Sequence, residues 1–144
     1  MTIGTSHITS IIVKKPASEV FTFMADPAKL SKWSIGTWST ELLPDGLVLG
    51  TSLFDGSKGY VRIDPQPQRH SIDYHLGATP DALVPRIEVR VVPGPHLGVE
   101  DRISVLTFVA WRTATMDDDR WRRLTAAHEL EVVLIKNLLE SGRG

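Results

Sequence analysis

A long segment near the C-terminus contains no helix-breaking residue. Residues 120–140 run for 21 positions without glycine or proline, and their apolar side chains recur three and four positions apart, the spacing of one α-helical face. This stripe consists of Trp121, Leu124, His128, Val132, Ile135 and Leu139. Asp117, Asp118 and Asp119 just before it suit a cap and a first turn. The sequence therefore predicts one long amphipathic helix, whose stripe must be buried against another element.

The middle of the chain predicts strands. Between residues 35 and 113, turn-forming residues recur at short intervals with no helical pattern between them, which favours a contiguous antiparallel sheet. The predicted strands are 38–43, 47–54, 60–63, 71–76, 86–92 and 102–112, and the turns between them include 44–46, 55–59 and 65–67. A first strand, 7–14, precedes two short helices that begin near Pro16 and Ala28. The predicted class is α+β, with one strand, two helices, six strands and a helix.

Length and composition fit one soluble globular domain over residues 1–144. Hydrophobic residues make up 42% of the chain and charged residues 23%, which excludes an intrinsically disordered chain. The chain has no cysteine, which excludes disulfides, cysteine-based zinc sites, iron–sulfur clusters and thiol nucleophiles. We expect no cofactor.

Charge gives no sign of a nucleic-acid partner. Sixteen basic residues against seventeen acidic ones leave a formal charge of −1, whereas nucleic-acid binders concentrate positive charge. The one basic cluster directly follows the acidic run 117–119 and contains Arg120, Arg122 and Arg123. On a helix its members are expected to form the i,i+4 pairs Asp118–Arg122 and Asp119–Arg123.

Membrane and export signals are also missing from the sequence. Residues 1–6 lack the positive and apolar regions of a signal peptide, and no apolar run is long enough for a membrane span. We expect a cytoplasmic protein with no integral membrane association. The sequence leaves monomer and homodimer open.

Two motifs and the long helix carry a family resemblance. The first motif is Ile11-x-Val13-x-x-Pro16-Ala17-x-x-Val20-Phe21, and the second is Asp26-Pro27-x-x-Leu30-x-x-Trp33. Together they resemble the START-related helix-grip superfamily (SRPBCC), which includes polyketide cyclase/dehydrases, plant pathogenesis-related allergens and lipid-transfer domains. The resemblance covers the whole chain in element order, and Lys14-Lys15 departs from the smaller residues that are frequent there.

The resemblance implies a fold and a class of ligand. In that superfamily a curved seven-stranded antiparallel sheet wraps around the long C-terminal helix, and two short helices close one end. The cavity between sheet and helix holds apolar or amphipathic small molecules. It implies a hydrophobic ligand (a lipid, an aromatic or a polyketide-like molecule) as the partner here, but not an activity.

Strand alternation predicts which side chains face the helix. Ile87, Val89 and Val91 share one strand face, and Arg86, Glu88 and Arg90 share the other. We expect the apolar faces to point inward. The outer face then carries mixed-sign charge pairs formed by Arg62, Asp73, His75, Glu88 and Arg90. The opposite assignment, a charged catalytic cluster inside the cavity, stays open, and the face of Trp111 is not assigned because its strand is apolar on both sides.

His128 is the leading candidate for chemistry because it interrupts the apolar stripe of the long helix. It is either a core histidine with one hydrogen bond or a polar handle and acid–base group. Glu131 could orient it or could lie at the solvent boundary. Tyr74, on the inward face, is the second catalytic candidate. The predicted ligand-binding residues are Trp33, Trp38, Tyr74, Val89, Leu124, His128 and Val132.

Other reactive constellations find no support. The five histidines show neither an HxH nor an HExxH spacing, so we expect no metal site. The chain has no Gly-x-Ser-x-Gly elbow, and residues 55–59 lack the order of a phosphate-binding loop.

Three functions compete at this point. The chain is a binder of an apolar small molecule, a cyclase/dehydratase-like enzyme, or a ligand-free, co-chaperone-like interaction module. An empty cavity of ~300 Å³ would cost several kcal/mol, at about 24 cal/mol per Å³. Because this is comparable with the whole stability of a domain, ligand binding is the favoured prediction.

Overall fold

Seven strands form one sheet in the computed structural model, which describes residues 5–144. The prediction about signal-peptide features in residues 1–6 falls partly on residues 1–4, which lie outside the described residues. The strands are β1 (Ser6–Val13), β2 (Ser39–Leu42), β3 (Leu47–Thr51), β4 (Lys58–Gln66), β5 (Ser71–Gly77), β6 (Val84–Pro93) and β7 (Ser104–Trp111). The α-helices are α1 (Ala17–Ala25), α2 (Leu30–Trp33) and α3 (Asp118–Glu140).

The strand order confirms the predicted α+β fold class. The order is β1-β7-β6-β5-β4-β3-β2, and each neighbouring pair is antiparallel. The first strand therefore pairs with the last, while β2 to β7 follow one another along the chain. The sheet is curved and open, and together with α3 it forms the helix-grip fold.

Local sequence signals set the helix ends. Pro16 is the N-cap of α1, and the side chain of Asp26 accepts a hydrogen bond of 2.9 Å from the Ala28 nitrogen at the short 3₁₀ turn that leads into α2. The Asp117 side chain caps α3 by accepting a 2.8 Å hydrogen bond from the Arg120 nitrogen, as its position predicts. The long predicted helix thus begins at its acidic cap and ends beside Gly142, whose φ is 75°.

The core lies between the inner face of the sheet and the helices α1, α2 and α3. Each inner strand contributes apolar side chains that are almost fully buried, and the predicted inward faces of β4, β5 and β6 are confirmed. The helices supply the opposing layer from Val20, Met24, Trp33, Val132, Ile135 and Leu139. Burying such side chains contributes about 1.5–3 kcal/mol each. In β7 the inner face holds Leu106, Phe108 and Ala110, so Trp111 points outward with 41% of its surface exposed.

Two predicted strand ends are wrong by three residues, while other strand boundaries differ by one or two. β3 ends at Thr51 rather than at residue 54, because the Ser52 nitrogen donates to the Ser57 carbonyl and closes a turn. β4 continues through Pro65 to Gln66, where a turn was expected. A strand tolerates proline where its nitrogen is not needed for a ladder hydrogen bond.

The predicted charge pairs are replaced by others. Asp118 pairs with Arg112 at 2.8 Å rather than with Arg122, and Arg123 lies 3.6 Å from Asp55 rather than beside Asp119. These partners come from other elements, which helical spacing alone cannot reveal. On the outer sheet face the register places Asp73 opposite Glu88, so the expected mixed-sign pairing is also wrong there.

Candidate functional site

A row of aromatic rings crosses the interior from α2 to α3. The Trp33 ring lies 6.1 Å from Tyr74 and 5.6 Å from Phe108, and the Phe108 ring lies 5.3 Å from His128 (centroid distances). All three contacts are edge-to-face, the geometry that aromatic pairs favour. The row brings together three of the predicted site residues, Trp33, Tyr74 and His128, through a fourth residue that the sequence analysis did not select.

Two ionisable side chains of α3 are buried next to this row. His128 and Glu131 expose only 6% and 3% of their surfaces, and His128 Nε2 lies 3.9 Å from Glu131 Oε1. Burial lowers the pKa of His128 to about 4, with added repulsion from His7 and Arg86. Burial raises the pKa of Glu131 to about 8, although a hydrogen bond from Ile35 opposes that rise. Near neutral pH the pair is therefore a neutral imidazole and a largely protonated carboxyl, and Glu131 is not at the solvent boundary.

The Tyr74 hydroxyl is committed to the backbone of α1. It donates a short hydrogen bond to the Met24 carbonyl, and the side chain is almost fully buried. Burial, followed by the charge of Glu131, raises the pKa of Tyr74 well above its usual range. The hydroxyl therefore fastens α1 to β5, and its proton is not free to move in this arrangement.

Several buried polar atoms of the interior have no hydrogen-bond partner within residues 5–144. They are Trp33 Nε1, Thr37 Oγ1, Arg86 Nη1 and His128 Nδ1. His7 Nε2 joins this group: it lies 2.9 Å from Glu129 Oε1 but is not aligned for a hydrogen bond. An unsatisfied buried polar group costs about 1–3 kcal/mol, so this concentration requires a physical explanation.

Arg86 departs from its predicted outward orientation because β6 contains a bulge. Tyr74 pairs with Ile87 and His75 with Pro85, so Arg86 is an extra residue without an opposite partner. Its burial lowers the pKa of the guanidinium to about 10, with a further contribution from the nearby charge of Arg120. The sequence did carry one signal, since a proline in an interior strand, here Pro85, marks a bulge.

The remaining predicted ligand-binding residues occupy different environments. Val89 and Val132 belong to the core, and Val89 stands opposite Phe108 on the neighbouring strand. Leu124 is half-buried on α3. Trp38 is 49% exposed and lies outside the aromatic row. The structure thus separates Trp38 from Trp33, although the two flank the same loop.

Two depressions on the surface contain none of the predicted ligand-binding residues. One lies between Lys14–Glu19 and Glu100–Ile103, and the other lies between the end of α1 and β4 near Arg62 and His75. Within residues 5–144 no cluster of three metal-ligating side chains is present. Among the described helices, none is both long and apolar enough to cross a membrane.

The outer face of β1 and β7 carries an exposed apolar stripe. Ile8 and Ile12 expose 62% and 56% of their surfaces. They stand opposite Val109 and Val105 in the register, with Trp111 at the end of the same face. This stripe lies on the side of the sheet away from the aromatic row.

Two comparisons by sequence give no match for this chain. No family model matches it, and no curated protein matches it at a significant level. Comparison with solved structures, in contrast, finds many chains of the same fold.

Three of these structures differ in their sequence identity, TM-score and coverage. The di-domain ARO/CYC BexL from the BE-7585A biosynthetic pathway is 18% identical with a TM-score of 0.70, and the match covers 95% of this chain and 47% of BexL. DynU16, a protein of the dynemicin biosynthetic locus, is 14% identical with a TM-score of 0.65, covering 97% of this chain and 49% of DynU16. The Aha1 dimer from Colwellia psychrerythraea is 13% identical with a TM-score of 0.68, covering 98% and 100%.

These likenesses establish the fold of the chain. The three structures share the helix-grip fold with this chain, but identities of 13–18% carry no activity across. The chain spans about half the length of BexL and of DynU16.

Proposed function

We propose that this protein binds an apolar or amphipathic small molecule between the inner face of the sheet and α3. The observation that carries the proposal is the pair of unpaired nitrogens, Trp33 Nε1 and His128 Nδ1, at the two ends of the Trp33–Phe108–His128 row. Binding sites of this class are mostly apolar and aromatic, with a few polar groups that orient the ligand. A ligand with a hydrogen-bonding group at each end of an aromatic or aliphatic body would satisfy both nitrogens.

Energetics supports a ligand rather than a purely structural role for these groups. Replacing a buried, unpaired polar side chain by an apolar one of similar shape is nearly neutral or stabilising. The chain nevertheless keeps an indole N–H and an imidazole nitrogen without partners in its core. Their cost to the free energy of unfolding is offset when a bound molecule supplies the missing hydrogen bonds.

Binding is preferred over cyclase/dehydratase-like catalysis because neither candidate acid–base group is a ready proton donor near neutral pH. The Tyr74 proton is held by the Met24 carbonyl, and the lowered pKa of His128 leaves it a neutral imidazole that cannot act as an acid at neutral pH. BexL belongs to a biosynthetic pathway and DynU16 to a biosynthetic locus, and both settings support a small molecule as the ligand.

Native mass spectrometry tests the proposal. Co-purified molecules are first removed by repeated buffer exchange. The protein is then incubated with 1-decanol or 2-naphthol, and a one-to-one adduct is expected. Phe108→Trp, which enlarges a ring at the centre of the row, is expected to abolish the adduct while circular dichroism confirms folding. Trp38→Phe, outside the row, is the matched control and should keep it. A mass free of adducts with both compounds contradicts the proposal.

A second candidate, protein interaction, rests on the outer stripe of Ile8, Ile12 and Trp111. Exposed apolar patches frequently mark protein interfaces. Sedimentation velocity of the wild-type chain and of Ile8→Ser/Ile12→Ser tests whether the stripe joins two copies, which would then separate in the variant. An unchanged monomer in both, together with a small-molecule adduct, leaves ligand binding as the function.

A further inference from the structure

The β6 bulge brings a guanidinium into the interior. A bulge re-aims side chains that strict alternation would send to the opposite face, and Ile87, the residue after Arg86, packs against the core. Arg86 Nη1 is buried. A change of direction at this one residue distinguishes it from Glu88 and Arg90, which keep the outward alternation of the strand.

Arg86 has no counter-ion in the part of the chain that the structure describes. Its Nη1 has no hydrogen-bond partner, and no carboxylate contributes to its pKa, which desolvation and Arg120 both lower. A buried charge is expensive unless an opposite charge or strong hydrogen bonds compensate it. Arg86 is partly buried, and its Nη1 is therefore a cationic donor without a partner, which an anion would satisfy.

Two further nitrogens face the same region. In the sheet register, His7 of β1, Ala110 of β7 and Ile87 of β6 form one row across the inner face. Ala110, at the centre of that row, adds only a methyl group.

The His128 ring, on the helix above, lies 5.3 Å from the Phe108 ring of β7. The next helix residue, Glu129, lies 2.9 Å from His7 Nε2, so His128 lies over this row. Burial, and then the charges of His7 and Arg86, lower the pKa of His128. Arg86 Nη1 and His128 Nδ1 are buried without a hydrogen-bond partner, and His7 Nε2 lies 2.9 Å from Glu129 Oε1 without an aligned hydrogen bond to it.

The carboxyl groups nearby do not fill this requirement. Glu129 lies against His7 at 2.9 Å but is 57% exposed, on the solvent side. Glu131 is directed to Ile35 through Oε2, and its raised pKa leaves it mostly uncharged at neutral pH. Glu129 and Glu131 would therefore repel an anion among the three nitrogens less than a buried, ionised carboxylate would.

We infer that the ligand is an amphipathic carboxylic acid, whose carboxylate is held by Arg86 with His7 and His128. Its apolar body would extend toward Phe108 and Trp33. The guanidinium fork matches the two oxygens of a carboxylate, and hydrogen bonds between ionised partners are about twice as strong as neutral ones. This inference rests on the proposed function, because it assigns the charged end of the same ligand.

Matched acid and alcohol pairs test the inference. Isothermal titration calorimetry compares decanoate with 1-decanol, and 2-naphthoate with 2-naphthol, on the full chain at neutral pH. In at least one pair the acid is expected to bind at least about tenfold tighter than the alcohol, the effect of one charge-assisted hydrogen bond. An alcohol that binds as tightly as its acid in every pair overturns the inference and leaves the proposed function standing.

Variants of β6 locate the effect. Arg86→Gln is expected to lose most of the preference for the acid while the alcohol affinity changes little. Arg90→Gln, on the outer face of the same strand, should keep the wild-type preference. Arg86→Lys retains the charge but not the paired N–H donors of the guanidinium, so an intermediate preference for the acid is expected. This variant replaces Arg86→Gln in the test if Arg86→Gln does not fold. A preference unchanged in both Arg86 variants overturns the inference, and binding of neither member of any pair contradicts the proposed function itself.

Discussion

The Oε2 atom of Glu131 accepts a hydrogen bond from the Ile35 main-chain nitrogen at 2.8 Å. It thereby joins the middle of α3 to the segment that follows α2. The Ile35 carbonyl in turn accepts a 3.0 Å hydrogen bond from the Leu53 nitrogen in the turn between β3 and β4. One buried carboxyl group therefore links three segments that are far apart in the sequence, and its protonation state bears on the stability of all three.

Glu131 is expected to make the protein less stable as pH rises. Its folded pKa of about 8 exceeds the ordinary 4.5, so the folded state binds the proton more tightly than the unfolded state does. The contribution is fully present below about pH 4.5 and is lost as pH rises through about 8, on the order of 1 kcal/mol per pH unit between them. Urea unfolding at several pH values in this range should show that loss in the wild type and not in Glu131→Gln, whose amide oxygen can still accept from Ile35.

The pH comparison needs one exposed carboxyl as its control. Glu41→Gln on β2 removes an exposed carboxyl and should leave the wild-type pH dependence intact. If Glu131→Gln and the wild type lose stability in parallel across the range, the Glu131 carboxyl is already ionised in the folded protein.

His128 is expected to act in the opposite direction at lower pH. Its folded pKa of about 4 lies below the ordinary 6.5, so the unfolded state binds the proton more tightly. The contribution of His128 to the free energy of unfolding is fully present above about pH 6.5 and is lost as pH falls through about 4. In His128→Leu this acid loss should disappear, and at neutral pH the free energy of unfolding should be unchanged or higher by about 1 kcal/mol, since a buried unpaired nitrogen is removed.

Chemical denaturation of His128→Leu and of the exposed control His96→Leu measures both effects. A loss above about 2 kcal/mol at neutral pH, specific to His128→Leu, would mean that His128 Nδ1 is satisfied in the folded protein. If His128→Leu is more stable than the wild type but binds decanoate more weakly, His128 contributes to binding at the expense of stability.

Tyr74→Phe is expected to destabilise the protein by about 1–2 kcal/mol, because it leaves the buried Met24 carbonyl without its donor. The matched control is Tyr60→Phe, since the Tyr60 hydroxyl makes no hydrogen bond to a side chain or main chain within residues 5–144. Thermal unfolding of the two variants should differ accordingly, with the Tyr60 change within about 0.5 kcal/mol of the wild type. Equal losses in both would show that the Tyr74–Met24 hydrogen bond adds nothing.

Arg123 is expected to restrain the turn between β3 and β4 without adding much stability. Its guanidinium lies 5.7 Å from the centre of the Phe54 ring and 3.6 Å from Asp55 Oδ2, and such half-exposed pairs contribute about 0–1 kcal/mol. Arg123→Gln should therefore accelerate hydrogen exchange in residues 53–57 while global unfolding changes little. Arg122→Gln, whose partner Asp119 lies on the same helix, is the control and should leave exchange in the turn unchanged.

Local patterns in the sequence were sufficient for the elements and for the apolar faces of β4, β5 and β6. The spacing of Leu124, His128 and Val132 identified α3, and Asp117 marked its cap, because helix periodicity and capping depend on neighbours within a few residues. Alternation likewise placed Val89 and Tyr74 on the inner face. The order of these elements, with two short motifs, was enough to indicate the helix-grip fold.

Long-range contacts decided the arrangement of the candidate site. Glu131 is buried because the segment after α2 covers it, through a hydrogen bond between residues 96 positions apart. Phe108 joins Trp33 to His128 only because β7 pairs in the register that faces it inward.

The direction of Arg86 shows the limit of sequence patterns most clearly. Alternation assigns this side chain to the outer face. In the register, however, Tyr74 and His75 pair with Ile87 and Pro85, so Arg86 is left unpaired on β6 and turns inward. A bulge is a property of two strands paired together, so its position is not encoded in the alternation of either strand alone. The sequence by itself determined the helices, the strands and the apolar faces of β4, β5 and β6, while strand pairing decided which polar groups meet in the interior.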